Sequence, residues 1–223
     1  MVDSFLRPRF RKWSRTQFFH TAICAALCIV AIVAHMTLAN FSAAAVAADI
    51  PGPGKTVVRQ MIESIRKLRT TQDTSARARL VSSINNSLAV DSLAPQALGA
   101  QWGKLTAAER DQFSQLMQDL LEKLAYPQAS QFFADLDVQY GPEQVRGPRR
   151  IVSTTVKRRE GGAISLDYAL QKTGKRWRVV DIDLDGQSLA QSVAGQIQAV
   201  LKQGSYESLV AQMRARMKQQ PNS

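Results

Sequence analysis

The spacing of apolar residues changes period twice along this chain of 223 residues, and that change decides its fold class. Val58, Met61, Ile62, Ile65 and Leu68 fall at helical spacing. A second helix from about Ser75 carries Leu80, Ile84 and Leu88, and a short third one starts near Asp91. Thr106-Ala-Ala-Glu109 reads as a capping box, after which Phe113, Leu116, Met117, Leu120, Leu121 and Leu124 trace one stripe that Pro127 should stop. Alternation then replaces the helical period: Phe132, Ala134, Leu136, Val138 and Tyr140 alternate with Asp135, Asp137 and Gln139. Turn residues Gly141, Pro142, Gly147 and Pro148 lead into Val152, Thr154 and Val156. Gly161-Gly162 and Thr173-Gly174-Lys175 then bound Ile164, Leu166, Tyr168 and Leu170, with Val180, Ile182 and Leu184 beyond. Helical spacing returns with Val193, Ile197, Val200 and Leu201, and again with Leu209, Val210, Met213 and Met217. Helices, then sheet, then helices predict an α+β fold: a four-stranded antiparallel meander with N- and C-terminal helices packed on one face.

Ahead of this pattern lies a leader. Arg7, Arg9, Arg11, Lys12 and Arg15 precede an apolar run from Thr21 to Ala34, and Ala45-Val46-Ala47 follows. A basic start, a short apolar middle and an A-x-A end are the parts of a secretory signal peptide. The run is shorter than the roughly 20 residues a spanning helix needs, and extending it to Phe41 would bury His35 and Asn40. Cleavage near Ala47 or Ala48 is expected, giving a leader over 1–48, a stiff Pro-Gly linker over 49–54, one domain over 55–218 and a disordered tail over 219–223. Every cysteine and histidine (His20, Cys24, Cys28 and His35) sits in that leader. The exported domain is therefore expected to work with no disulfide, no cofactor, no metal and no Ser-His or Cys-His nucleophile.

Of 29 Lys and Arg and 18 Asp and Glu, the leader takes five cations and Asp3, leaving 24 against 17 and a charge of +7. Acidic partners suit such a surface. Nucleic acid is excluded by export and by the dispersal of the cations, the densest group being Arg146, Arg149, Arg150, Lys157, Arg158 and Arg159. Three motifs fail on context. Gly54-Lys55-Thr56 lacks the preceding glycine and strand of a phosphate loop. Asp181, Asp183 and Asp185-Gly186 begin a calcium loop that ends in Ser188 and Ser192 instead of an apolar residue and Glu. Ser64-x-x-Lys67, Ser83-x-Asn85 and Lys172-Thr173-Gly174 mimic a penicillin-binding enzyme, but on two helices and a hairpin turn. The pairs Asp135/Asp137 and Asp181/Asp183 read as solvated strand faces, with nothing to tune them for acid–base work.

Two stretches carry a family likeness. One holds Asp91, Leu98-Gly99, Trp102, Leu105-Thr106, Arg110, Phe113, Leu120-Leu121 and Tyr126. The other runs Arg176-Trp177-Arg178-Val179-Val180-Asp181, then Asp185-Gly186, Ser188, Leu201, Gly204, Leu209, Val210 and Met213. From about Lys55 to Met217 the chain resembles the toluene-tolerance family of periplasmic lipid carriers, typified by MlaC and including the hopanoid-associated HpnM branch. The resemblance implies a non-catalytic periplasmic shuttle that holds lipid acyl chains, of phospholipid or hopanoid type, between sheet and helices. It implies exchange with an inner-membrane MCE-type ABC transporter complex and an outer-membrane lipoprotein complex, with transient contact at the membrane surface.

An apolar pocket would then be lined by Val138, Tyr140, Val152, Val156, Leu166, Tyr168, Leu170, Ile182 and Leu184 on the strands. Leu116, Leu120, Val193, Ile197 and Val200 would face them from helices, and Tyr140 and Tyr168 would sit at the mouth with one wet end. Two acyl chains gain roughly 20 kcal/mol against water, but a bilayer offers the same, so aliphatic walls suffice for a shuttle. Two other readings compete: a lipid-modifying enzyme, which lacks a nucleophile, and a scaffold module with a filled core.

Overall fold

A computed structural model describes residues 52–157 and 161–218. The expected leader, cleavage site, C-terminal tail, Arg158 and Arg159 lie outside the described residues, as does all of the linker but Gly52, Pro53 and Gly54. Helix α1 spans Pro53–Leu68 and so begins inside the stretch read as linker. Pro53 stands at the start, where a missing N–H costs nothing and the fixed φ favours the helix. Asp73 caps α2 (Thr74–Ser87) by accepting from the Ala76 N–H at 2.6 Å. Helix α3 (Val90–Leu98) ends at Gly99, whose φ of +52° takes the chain out of helical geometry into a short 3-10 stretch.

The expected capping box is present at α4 (Ala107–Leu120). Thr106 accepts from the Glu109 N–H, and the Glu109 carboxylate accepts from the Thr106 N–H at 2.8 Å. Pro127 does not end the helix. A wide turn over Leu121–Ala125, in which the Tyr126 N–H reaches the Leu121 carbonyl, hands the chain to α5 (Tyr126–Phe133) with Pro127 in its first turn. Phe132 and Phe133 are therefore helical, their rings meeting edge-on at 4.9 Å, and the first strand starts later than the alternation suggested.

Five strands, one more than expected, follow in meander order: β1 (Asp137–Arg146), β2 (Arg149–Lys157), β3 (Ala163–Thr173), β4 (Arg176–Leu184) and the two-residue β5 (Gln187–Ser188). Every neighbouring pair is antiparallel. Gly141 and Pro142, taken from the sequence as turn residues, lie within β1, accommodated by a bulge between Tyr140 and Glu143. A second bulge on β4 breaks the simple alternation. Val179, paired with Leu170, turns to the face that holds Ile182 and Leu184, while Val180 joins Ile151, Ala169 and Ala89 in a small separate cluster. The fold is completed by α6 (Leu189–Gln203) and α7 (Tyr206–Lys218).

The helices divide between two cores. Helices α1, α2 and α5 cover the sheet, with Val58, Met61, Ile62, Ile65, Leu68, Ile84, Tyr126 and Phe133 packed on Val152, Val156, Leu166, Tyr168, Leu170 and Val179. Helices α3, α4, α6 and α7 build a second core of Ala94, Leu98, Phe113, Leu116, Met117, Ile197, Val200, Leu209 and Met213. The α2–α3 junction links them: Ala89 N–H donates to the Val179 carbonyl at 2.9 Å, and Arg178 bonds the Leu88 carbonyl and pairs with Asp91 at 2.9 Å.

Candidate functional site

Strand register places the nine sheet candidates on one face. Val138 stands beside Val156, Leu166 beside Leu184, Tyr168 beside Ile182 and Val152. Val152, Val156, Leu166, Tyr168 and Leu170 are buried, and Val138, Tyr140, Ile182 and Leu184 are half-buried at the margin. The five helical candidates are not opposite them. Leu116, Ile197 and Val200 are buried in the second core, and Leu120 and Val193 pack at its edge. The sheet face is instead met by the α1 stripe, with Ile84, Tyr126 and Phe133. That stripe was the clearest helical signal in the sequence, and sequence reasoning assigned it no place at the site.

Tyr168 is not at a mouth. It is 1% exposed, and burial pushes its phenol well above the ordinary value. Tyr140 is half-buried, its phenol also raised by burial, with the Arg59 guanidinium 5.1 Å from its ring centre. Arg66 fixes α1 to the start of the sheet by donating to the Phe133 and Leu136 carbonyls. On the α2 side, the Tyr126 hydroxyl donates to Asn85, which donates to Glu122, each at 2.7 Å.

Polar chemistry gathers where α1, α2 and the start of β4 meet. An open groove of about 560 Å³ is lined there by Gln60, Arg79, Ser82, Asn86, Arg176 and Trp177. Arg176 donates to Asn86 at 3.2 Å. Arg150 lies over the Trp177 ring at 4.8 Å and pairs with Glu143 at 2.5 Å.

The motif residues refused on context have structural partners. Ser64 is buried and shares a hydrogen bond with Ser83 across α1 and α2, whereas Lys67 is exposed. Asp181 accepts from the Ser188 hydroxyl at 2.6 Å and the Ala190 N–H at 3.1 Å, holding the start of α6. Among the described residues no three acidic side chains converge as metal ligands. Asp183 stands opposite Asp167, and burial, then the charges of Asp181 and Asp167, raise its carboxyl pKa. A carboxyl raised on folding costs stability above its unfolded pKa, and that cost is relieved as pH falls through the folded value. Asp183→Asn is therefore expected to stabilise the fold at neutral pH by a few tenths of a kcal/mol. The gain should vanish below about pH 4 in thermal melts run at both pH values.

The two stretches that carried the family likeness meet in space where Arg178 pairs with Asp91; within the first of them, Arg110 donates to the Trp102 carbonyl at 3.0 Å. Residues 55–215 match the family model described as MlaC protein. The chain belongs to the MlaC family. Among solved structures, its fold is similar to that of a phospholipid-binding protein from Ralstonia solanacearum in complex with a phospholipid. The TM-score is 0.63 at 24% sequence identity, over 77% of this chain and 98% of that one. No curated protein sequence matches. The MlaC match takes in both cores and all five strands, so both belong to the family's unit.

Proposed function

We propose that this MlaC-family protein is a non-catalytic periplasmic lipid carrier that holds acyl chains against the sheet face beneath α1 and α5. The observation that carries the reading is the apolar face itself. Val138, Val156, Leu166, Ile182 and Leu184 share one aliphatic face, with Val138, Ile182 and Leu184 half-buried rather than sealed at its edge. The phospholipid in the Ralstonia neighbour favours phospholipid over hopanoid as cargo. Family membership supports exchange with an inner-membrane MCE-type ABC complex and an outer-membrane lipoprotein complex.

One feature favours the scaffold reading. Val58 and Ile62 of α1 and Val152, Val156 and Leu170 of the sheet are fully buried against one another, so chains enter this face only if α1 and α5 move off it. Native mass spectrometry of detergent-free protein from its own periplasm separates the two. A stoichiometric adduct of lipid mass is the expected result. A clean apo mass, with no lipid taken up from liposomes, would replace the carrier with the scaffold.

A further inference from the structure

In an antiparallel meander the β1–β2 and β3–β4 turns come out at the same end of the sheet, and here that end is basic. The first tip brings Arg146 and Arg149 together as cross-strand partners, and the second pairs Thr173 with Arg176 between Lys172 and Lys175. All five cations are exposed. No Asp or Glu occurs from Gln144 to Arg150 or from Tyr168 to Val180. Among the described residues none of the five pairs with a carboxylate: Arg146 bonds Gln144, and Arg176 bonds Asn86. Beside them stands Val145, 67% exposed, the exposed large hydrophobic side chain of the described residues. It lies on β1, an edge strand of the sheet.

Uncompensated cations around an exposed apolar side chain match an anionic bilayer surface, which takes the charges among its headgroups and the valine into the interface. We infer that this end of the sheet is a docking face for anionic lipid membranes. The groove holding Arg79 and Arg176 adjoins it, so a docked molecule would present that groove to the headgroup layer. The inference rests on the carrier reading for its purpose but not for its test, because adsorption is measured without lipid extraction.

The experiment is co-sedimentation of the leader-free protein with vesicles of equimolar phosphatidylglycerol and phosphatidylcholine, and with phosphatidylcholine alone. Binding to the anionic vesicles is expected at about 0.01 M salt, where charges act over about 30 Å, and loss of it at about 1 M, where the range falls to about 3 Å. Each cation removed should weaken binding roughly fivefold. Arg146→Gln/Arg149→Gln and Lys172→Gln/Lys175→Gln should then each lose about 25-fold. Val145→Asp should weaken binding as well. Lys157→Gln, at the far end of β2, should bind as the parent does. These side chains are exposed, so the variants are expected to keep the parent circular dichroism spectrum. No binding at low salt, equal binding to neutral vesicles, or hairpin variants that bind like the parent would overturn the docking face. Protein that takes up lipid yet does not adsorb overturns docking alone; protein that adsorbs yet never takes up lipid removes the carrier reading and leaves docking standing.

Discussion

Glu143→Gln is expected to lower the free energy of unfolding by about 3 kcal/mol. The bulge after Tyr140 turns the Glu143 side chain inward, where it is 6% exposed. One carboxylate oxygen accepts from the Lys55 N–H in the first turn of α1 at 2.9 Å, and the other accepts from Arg150. The negative charge thus answers both the exposed amides at the helix start and a half-buried guanidinium. Glutamine keeps the shape but removes the charge and turns an N–H₂ toward a donor. Arg150 is then left without an ion partner over Trp177. The double variant Glu143→Leu/Arg150→Met should recover part of the loss, because a pair removed together leaves no stranded charge. Crowding makes the same point from the other side, since a Cβ at Gly52 would overlap the Glu143 carboxylate. Urea denaturation with unchanged slope reads the effect. A Glu143→Gln midpoint matching the parent's would show that the carboxylate contributes nothing to the fold.

None of that network was visible in the sequence, although much of the fold was. The helical stripes of α1 and α4, the capping box at Thr106 and the turns at Gly147, Gly161-Gly162 and Gly174 all announce themselves through local spacing and local chemistry. What failed to show were features in which one extra residue changes everything downstream. The wide turn at Leu121–Ala125 carries a helix past Pro127, and the bulge at Val180 puts Val179 on the inner face. Neither disturbs the apolar composition of its window, so periodicity passes over both. The site divided in the same way. Alternation located the nine strand residues on one face, because side chains two apart on a strand share a face regardless of tertiary context. Which helix covers that face depends on chain crossings between distant segments, and amphipathic stripes are mutually interchangeable to a sequence reader. The stripe of α4 and α6 found its partners in α3 and α7, and the stripe of α1 took the sheet.

That partition makes a prediction sharp enough to test the site itself. Ile182→Asp should reduce the lipid retained per protein molecule at least about tenfold, whereas Leu120→Asp should leave it near the parent value. Both residues are half-buried aliphatics at the edge of a core, so both substitutions cost stability without emptying a sealed interior. They differ in which core they border. Ile182 lies beside Tyr168 on the sheet face, where a carboxylate would have to give up water to sit against an acyl chain. Leu120 borders the core that α3, α4, α6 and α7 close among themselves. Quantified lipid extraction from variants with parent-like circular dichroism reads the difference. Equal loss in both would mean that chains run between the two cores, restoring Leu116, Leu120, Val193, Ile197 and Val200 as pocket residues. Loss in Leu120→Asp alone would move the site off the sheet altogether. The expected asymmetry would assign carriage to one layer and structural support to the other, a division that hydrophobic patterning alone has no means to express.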